Sequence, residues 1–205
     1  MNWLREVRFY PGEIKDLAIA WIALSIAFAL FFGGGYQILS MPTIFLELVG
    51  ISFITAGIGF LLHELAHKVV AIRFNQEAAF HANIRMLVLA IATGAIGFIF
   101  AAPGAVHHRG YITDRENGII AVAGPITNIV LGMIFFPLML VEYHLLFLVG
   151  LYGTLINFFL AAFNLLPFGP LDGKKVISWS VPVFLVNFIV SLALLMSTLF
   201  LFFAI

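Results

Sequence analysis

The chain has no cysteine. That excludes a disulfide framework, a thiolate metal site and a cysteine nucleophile, so any bound metal must be held by His, Asp, Glu or Asn. Charge is scarce as well. Lys, Arg, Asp and Glu make up 10% of the 205 residues, against about 25% in soluble domains. Basic and acidic residues cancel, ten against ten, so no global field favours nucleic acid. What fills the chain is apolar: 63% is hydrophobic, with 23 Phe. A soluble globular domain is excluded, and the phenylalanines are expected to face lipid and to pack a helix bundle. The first sixteen residues are mixed and charged and precede an apolar run of membrane length, which is not the pattern of a cleavable signal peptide. The expectation is one membrane-embedded domain over residues 1–205, with no soluble appendage.

Within it, residues 1–16 carry Arg5, Arg8 and Lys15 beside Trp3, Phe9 and Tyr10, a composition suited to a membrane surface. Apolar runs predict spans at 17–36, 43–73, 118–141, 145–166 and 181–205. The second exceeds the ~20 residues a span requires, so tilt or an extension is expected. The run 86–102 is apolar enough to tempt a sixth helix. Charge sidedness argues for five: all ten Lys and Arg then fall on one side, and the opposite loops around 33–42 and 142–144 hold none. By the positive-inside rule that side is cytoplasmic. Residues 78–106 are therefore expected to dip into the membrane as a hairpin with arms at 87–93 and 96–106 and Thr93-Gly94 at the tip. Exposed strand edges cannot face lipid, so protein must cover it or it must line a cavity. The fold class is an all-α polytopic membrane protein with about five transmembrane helices and a membrane-associated β-hairpin or re-entrant segment between the second and third.

The second span contains His63-Glu64-Leu65-Ala66-His67. On a helix, residues i and i+4 share a face, so both imidazoles can address one metal ion. Glu64, one position on, can reach a water at that metal and serve as general base. Two imidazoles, an activated water and a carboxylate are the parts of a zinc hydrolase. Such a site needs a third protein ligand and an open position. Asp172 is the best candidate, at the end of an apolar helix in the glycine-flanked loop Pro170-Leu171-Asp172-Gly173. Glu6, Glu13, Asp16, Glu77, Asp114 and Glu116 sit in polar flanks, and Glu47 is about four turns from His63.

The stretches His63-Glu64-Leu65-Ala66-His67 and Asn164-Leu165-Leu166-Pro167-Phe168-Gly169-Pro170-Leu171-Asp172-Gly173 resemble the site-2 protease family of intramembrane zinc metalloproteases, marked by HExxH on one transmembrane helix and N-x-x-P…L-D-G on a later one. Ala123-Gly124-Pro125-Ile126-Thr127-Asn128 is similar to the family's Gly-Pro-x-x-Asn element on the helix between. The resemblance covers a core of about 43–178. It implies one Zn2+ per chain held by His63, His67 and Asp172, with Glu64 as catalytic base. It also implies that the 78–106 hairpin is a membrane-associated sheet whose edge takes an unwound substrate strand, and that Asn164 and Asn128 bind or polarise the substrate backbone. The PDZ-like and nucleotide-binding inserts of some members are missing, so their regulation does not carry over.

The function expected is an intramembrane zinc metalloendopeptidase in the cell membrane, hydrolysing a peptide bond within or near a transmembrane segment of a membrane-protein substrate, with the lipid bilayer as its other partner and no nucleic acid. A metal-ion or proton transporter using the same His/Glu/Asp cluster is the alternative from another class, and a catalytically inactive binding member is a third. Plainer roles stand beside the sharp ones. Asn128 could bond between helices, Asn164 could cap the following loop, and Glu64 could pair with Lys68 at i,i+4. His107 and His108 are expected as interfacial polar residues, because adjacent strand residues point apart.

Overall fold

The computed structural model describes residues 7–99 and 103–204. Trp3 and Arg5 of the expected interfacial segment lie outside them. Among the described residues, five helices are long and apolar enough to cross a membrane. The chain is an integral multi-pass membrane protein, all-α apart from one small sheet.

Helix α1 (Glu13–Phe32) stops at a glycine turn in which Gly34 and Gly35 take φ values of 79° and 91°, a region open to glycine at little cost. Pro42 then opens α2 (Pro42–Ser52), which continues through a π-helical turn at Phe53–Gly57 into α3 (Ile58–Arg73). Together these make a 32-residue span. Proline suits a first helical position because its missing N–H has no helical partner there. The wide π turn loosens the helix immediately before the histidine pair, a placement common at functional sites.

Strand β1 (Glu77–Ala82) and strand β2 (Gly104–Arg109) form an antiparallel pair with Phe80 opposite Val106 and Ala82 opposite Gly104. Between them lies helix α4 (Ile84–Ala95). This corrects the expected hairpin arms. The apolar run at 87–93 is helical, the strands flank it, and part of the second arm, residues 100–102, lies outside the described residues. The period explains the difference. Leu87, Ala90 and Gly94 are buried, a spacing of three and four that lies on one helical face rather than alternating as a strand would. Helix α4 packs along α1 so closely that a Cβ on Gly94 would run into the Ala27 carbonyl. Lipid is as apolar as these side chains, so tight packing of small residues holds the pair.

Twelve residues reach only about 18 Å, too short for a sixth span. The segment still goes deep. The Ala82 N–H bonds Asp16 near the start of α1, whereas a Cβ on Gly35, past its end, would stand 2.7 Å from the Ala95 carbonyl oxygen. The pairing of Ala82 with Gly104 then brings the chain back to the level it left. The excursion is re-entrant, entering at Ala82 and returning at Gly104, so the five-span topology stands.

Helix α5 (Asp114–Phe135) opens with a reciprocal cap. Glu116 N–H donates to Thr113 Oγ1 at 3.3 Å, and Thr113 N–H donates to Glu116 Oε2 at 2.9 Å, satisfying two of the free donors at a helix start. Helix α6 (His144–Asn164) follows, then the short α7 (Asp172–Trp179) and α8 (Val181–Ala204). Helix α5 packs against α3, α6 and α7, so the elements bearing the three sequence motifs meet around it.

Candidate metal centre

His63 and His67 lie one turn apart on α3, both buried. Their rings are nearly perpendicular, with centroids 4.6 Å apart, which brings the two Nε2 atoms to 3.0 Å. Asp172, the first residue of α7, sets its Oδ2 at 3.3 Å from His63 Nε2 and 3.1 Å from His67 Nε2. Glycines make this approach available. A Cβ on Gly124 of α5 would stand 2.5 Å from both His63 Cε1 and His67 Nε2, and one on Gly173 would strike the Leu165 carbonyl against which α7 starts. The Asp172 Oδ1 is 3.7 Å from Lys175 Nζ, one turn on.

Outer hydrogen bonds define the tautomers. His63 Nδ1 meets Asn128 Oδ1 at 2.6 Å, and His67 Nδ1 meets the Ile120 carbonyl at 2.7 Å. Both partners are acceptors, so each Nδ1 carries the proton and each Nε2 keeps its lone pair. Three lone-pair atoms thus converge with no proton between them, an arrangement that calls for a cation. The dimensions fit zinc. Ligands about 2.0–2.1 Å from a tetrahedral ion lie about 3.4 Å from each other, close to the 3.0, 3.1 and 3.3 Å found here. Three protein donors leave the fourth position open. Among the described residues this is the one His/Cys/Asp/Glu group with metal-binding spacing.

Glu64 is buried beside this cluster, and its Oε2 accepts the Val106 N–H of β2 at 3.1 Å. All four residues open onto a cleft of about 810 Å³, which residues 104–108 of β2 also line. Asn164 lines it too, its Nδ2 donating to the Leu160 carbonyl at 3.0 Å. Asn128, expected at the substrate, stands behind His63 instead. It is fully buried, and its Nδ2 donates to the Gly59 carbonyl at 3.2 Å and to Asn157 Oδ1 at 2.9 Å, so no polar atom is left for a substrate.

Lys68 does not pair with Glu64. Its Nζ sits 2.5 and 2.6 Å from the two oxygens of Glu13, and both residues are buried. The Phe9 ring lies 4.6 Å from the same ammonium, a cation–π contact. Sequence reasoning missed Asn157, the Ile120 carbonyl and the Val106 N–H. Only Asn157 left a signal, as a buried amide in an apolar helix.

Fold and site define a class: a polytopic membrane protein with a buried two-histidine, one-aspartate cluster of metal-binding spacing and an adjacent carboxylate. Comparison supplies the family. The chain is 40% identical over 177 residues to "Putative zinc metalloprotease MJ0611" of Methanocaldococcus jannaschii, covering 84% of this chain and 87% of that protein. It is 31% identical over 160 residues to "Putative zinc metalloprotease YwhC" of Bacillus subtilis, covering 67% and 72%. No protein-family model and no solved structure matches. The chain belongs to the zinc metalloprotease family of these proteins, and zinc is the metal that membership implies.

Proposed function

We propose that the protein is an intramembrane endopeptidase of the site-2 protease type, hydrolysing a peptide bond in or near a transmembrane segment of another membrane protein. One observation carries this reading: the three metal donors, the Glu64 carboxylate and an open strand edge share one cleft among membrane-spanning helices.

The residues divide the work as follows. His63, His67 and Asp172 hold the metal. When bound, zinc polarises a carbonyl and lowers the pKa of water toward ~7. Glu64 takes the proton from the attacking water and passes it to the leaving amine. The Val106 N–H holds Glu64 Oε2, leaving Oε1 for the water. Asn83, Arg85, His107, His108 and Lys175 give the cleft a polar lining, a route for water from the side rich in Lys and Arg.

A substrate helix hides its carbonyls in its own hydrogen bonds, so it must unwind before attack. On β1 the outward N–H groups of Phe80 and Ala82 are taken by Glu13 and Asp16, each at 3.1 Å. The outer edge of β2, formed by Gly104, Val106 and His108, borders the cleft. With the Val106 N–H on Glu64, an added strand pairs there through the Gly104 and His108 backbone and the Val106 carbonyl. Asn164 at the cleft wall contacts the docked backbone. Residues 1–205 act as one protease domain with its catalytic core at 43–178. The N-terminus and the Lys/Arg-rich loops face the cytoplasm, and the protein resides in the cell membrane.

The test uses full-length protein in proteoliposomes with a set of single-span proteins tagged at both ends. Cleavage within the span, lost on chelation and restored by zinc, is the expected result. Cleavage indifferent to chelators, or confined to soluble tails, contradicts the reading.

A further inference from the structure

The tautomer of His63 is set from a distance, by a residue on α6. Asn157 is fully buried, and its Nδ2 donates to the Gly153 carbonyl at 2.8 Å. A carbonyl oxygen can only accept, so that end of the side chain is the nitrogen and the other end is the oxygen. Asn157 Oδ1 accordingly accepts from Asn128 Nδ2 at 2.9 Å. The nitrogen of Asn128 is thereby assigned as well, and its Oδ1 faces His63 Nδ1 at 2.6 Å. An amide oxygen carries no proton, so His63 Nδ1 does. Two carbonyls set these directions: Gly153, through Asn157, and Gly59, which accepts from Asn128 Nδ2 at 3.2 Å. The backbone is shaped around this chain, since a Cβ on Gly59 of α3 would stand 2.5 Å from Asn157 Oδ1.

We infer that Asn157 is a positioning residue of the metal centre, acting through Asn128 to hold His63 with its proton on Nδ1 and its Nε2 lone pair toward the metal. This rests on reading His63 as a metal ligand. Without the Asn157 oxygen, Asn128 loses the shorter of its two anchors and is held only by the Gly59 carbonyl at 3.2 Å, so the orientation that turns its nitrogen toward His63 costs less. The imidazole proton then belongs on Nε2, where it blocks the metal. Asn157 touches neither metal nor substrate. A plain helix-packing hydrogen bond, the simpler role for a buried asparagine, would not reach the metal at all.

The experiment measures zinc affinity by chelator competition on the full chain in detergent, for the parent, Asn157→Leu, Asn157→Asp, Asn128→Leu and the Asn128→Leu/Asn157→Leu double variant. Histidine 15N NMR of the zinc-free proteins reads the tautomer. Asn157→Leu is expected to weaken zinc binding roughly 10-fold, the scale of outer-shell effects on metal sites. Asn157→Asp, as the protonated acid that donates to the Gly153 carbonyl, keeps an oxygen for Asn128 and is expected to lose less than Asn157→Leu. On the Asn128→Leu background, Asn157→Leu changes zinc affinity by less than about 2-fold, because the path is already cut. Parent affinity in Asn157→Leu, or an equal loss on both backgrounds, overturns the inference. Should Asn157→Leu fail to fold, the parent spectrum still decides: a zinc-free His63 protonated at Nε2 contradicts the assignment. A parent that binds no zinc overturns the underlying metal reading, while the tautomer measurement still judges this one.

Discussion

The backbone N–H of Val106 donates to the Glu64 carboxylate at 3.1 Å. It belongs to the outer edge of β2. Phe80, directly opposite Val106, sends its own N–H away from β2 to Glu13, so this pair exchanges no ladder bond. The strand that borders the cleft therefore also holds the carboxylate assigned as general base.

Replacing Val106 with proline deletes this N–H and no ladder bond, and proline is tolerated at such edge positions. Turnover is expected to fall on the order of 10- to 100-fold from misplacement of the base, with zinc content unchanged. Steady-state cleavage and metal analysis on one preparation check this.

Asp172→Ala removes one of three donors. Zinc is expected below stoichiometry and cleavage lost. His67→Ala is expected to behave alike, although it lies on a different helix. Elemental analysis after gel filtration distinguishes this from a merely weakened protease.

Gly124→Ala sets helix propensity against the site. Alanine favours a helix interior by about 1 kcal/mol, but its Cβ would stand 2.5 Å from His63 Cε1 and His67 Nε2. The variant is expected to fold as stably as the parent and to bind zinc more weakly. Thermal unfolding and chelator competition separate the two effects.

Lys68→Met strands the Glu13 carboxylate, which is 2% exposed. Breaking a buried pair from one side costs about 3 kcal/mol or more. The Glu13→Gln/Lys68→Met double variant leaves no lone buried charge and is expected to recover most of that. Denaturation in mixed micelles measures both.

The legible parts of this protein were those written in local pattern. The membrane spans are runs of about 20 apolar residues, and they reappear within a few positions of their expected ends. The histidine pair follows from helical spacing alone, and Asp172 from an acid in a glycine-flanked turn. The re-entrant segment was legible only as an anomaly of charge sidedness. Its arms are not legible, because a short apolar run reads equally as strand or helix, and packing against α1 decides between them. Helix α7 was hidden within what reads as a loop of Pro and Gly. Contacts between distant residues left almost no trace. Glu13 reads as part of a polar flank, yet it is buried against Lys68, 55 positions away. The resemblance makes Asn128 a substrate contact; its plainer role, bonding between helices, is the one the structure shows, with His63 at its oxygen.

The central claim is that Glu64 acts as the base beside a zinc held by His63, His67 and Asp172. Zinc content and cleavage of a membrane-spanning substrate, measured side by side for the parent and for Glu64→Gln, test it most directly. One zinc per chain is expected in both proteins, with a loss of turnover of at least about 100-fold in Glu64→Gln. A Glu64→Gln protein that binds zinc and cleaves at the parent rate would contradict it.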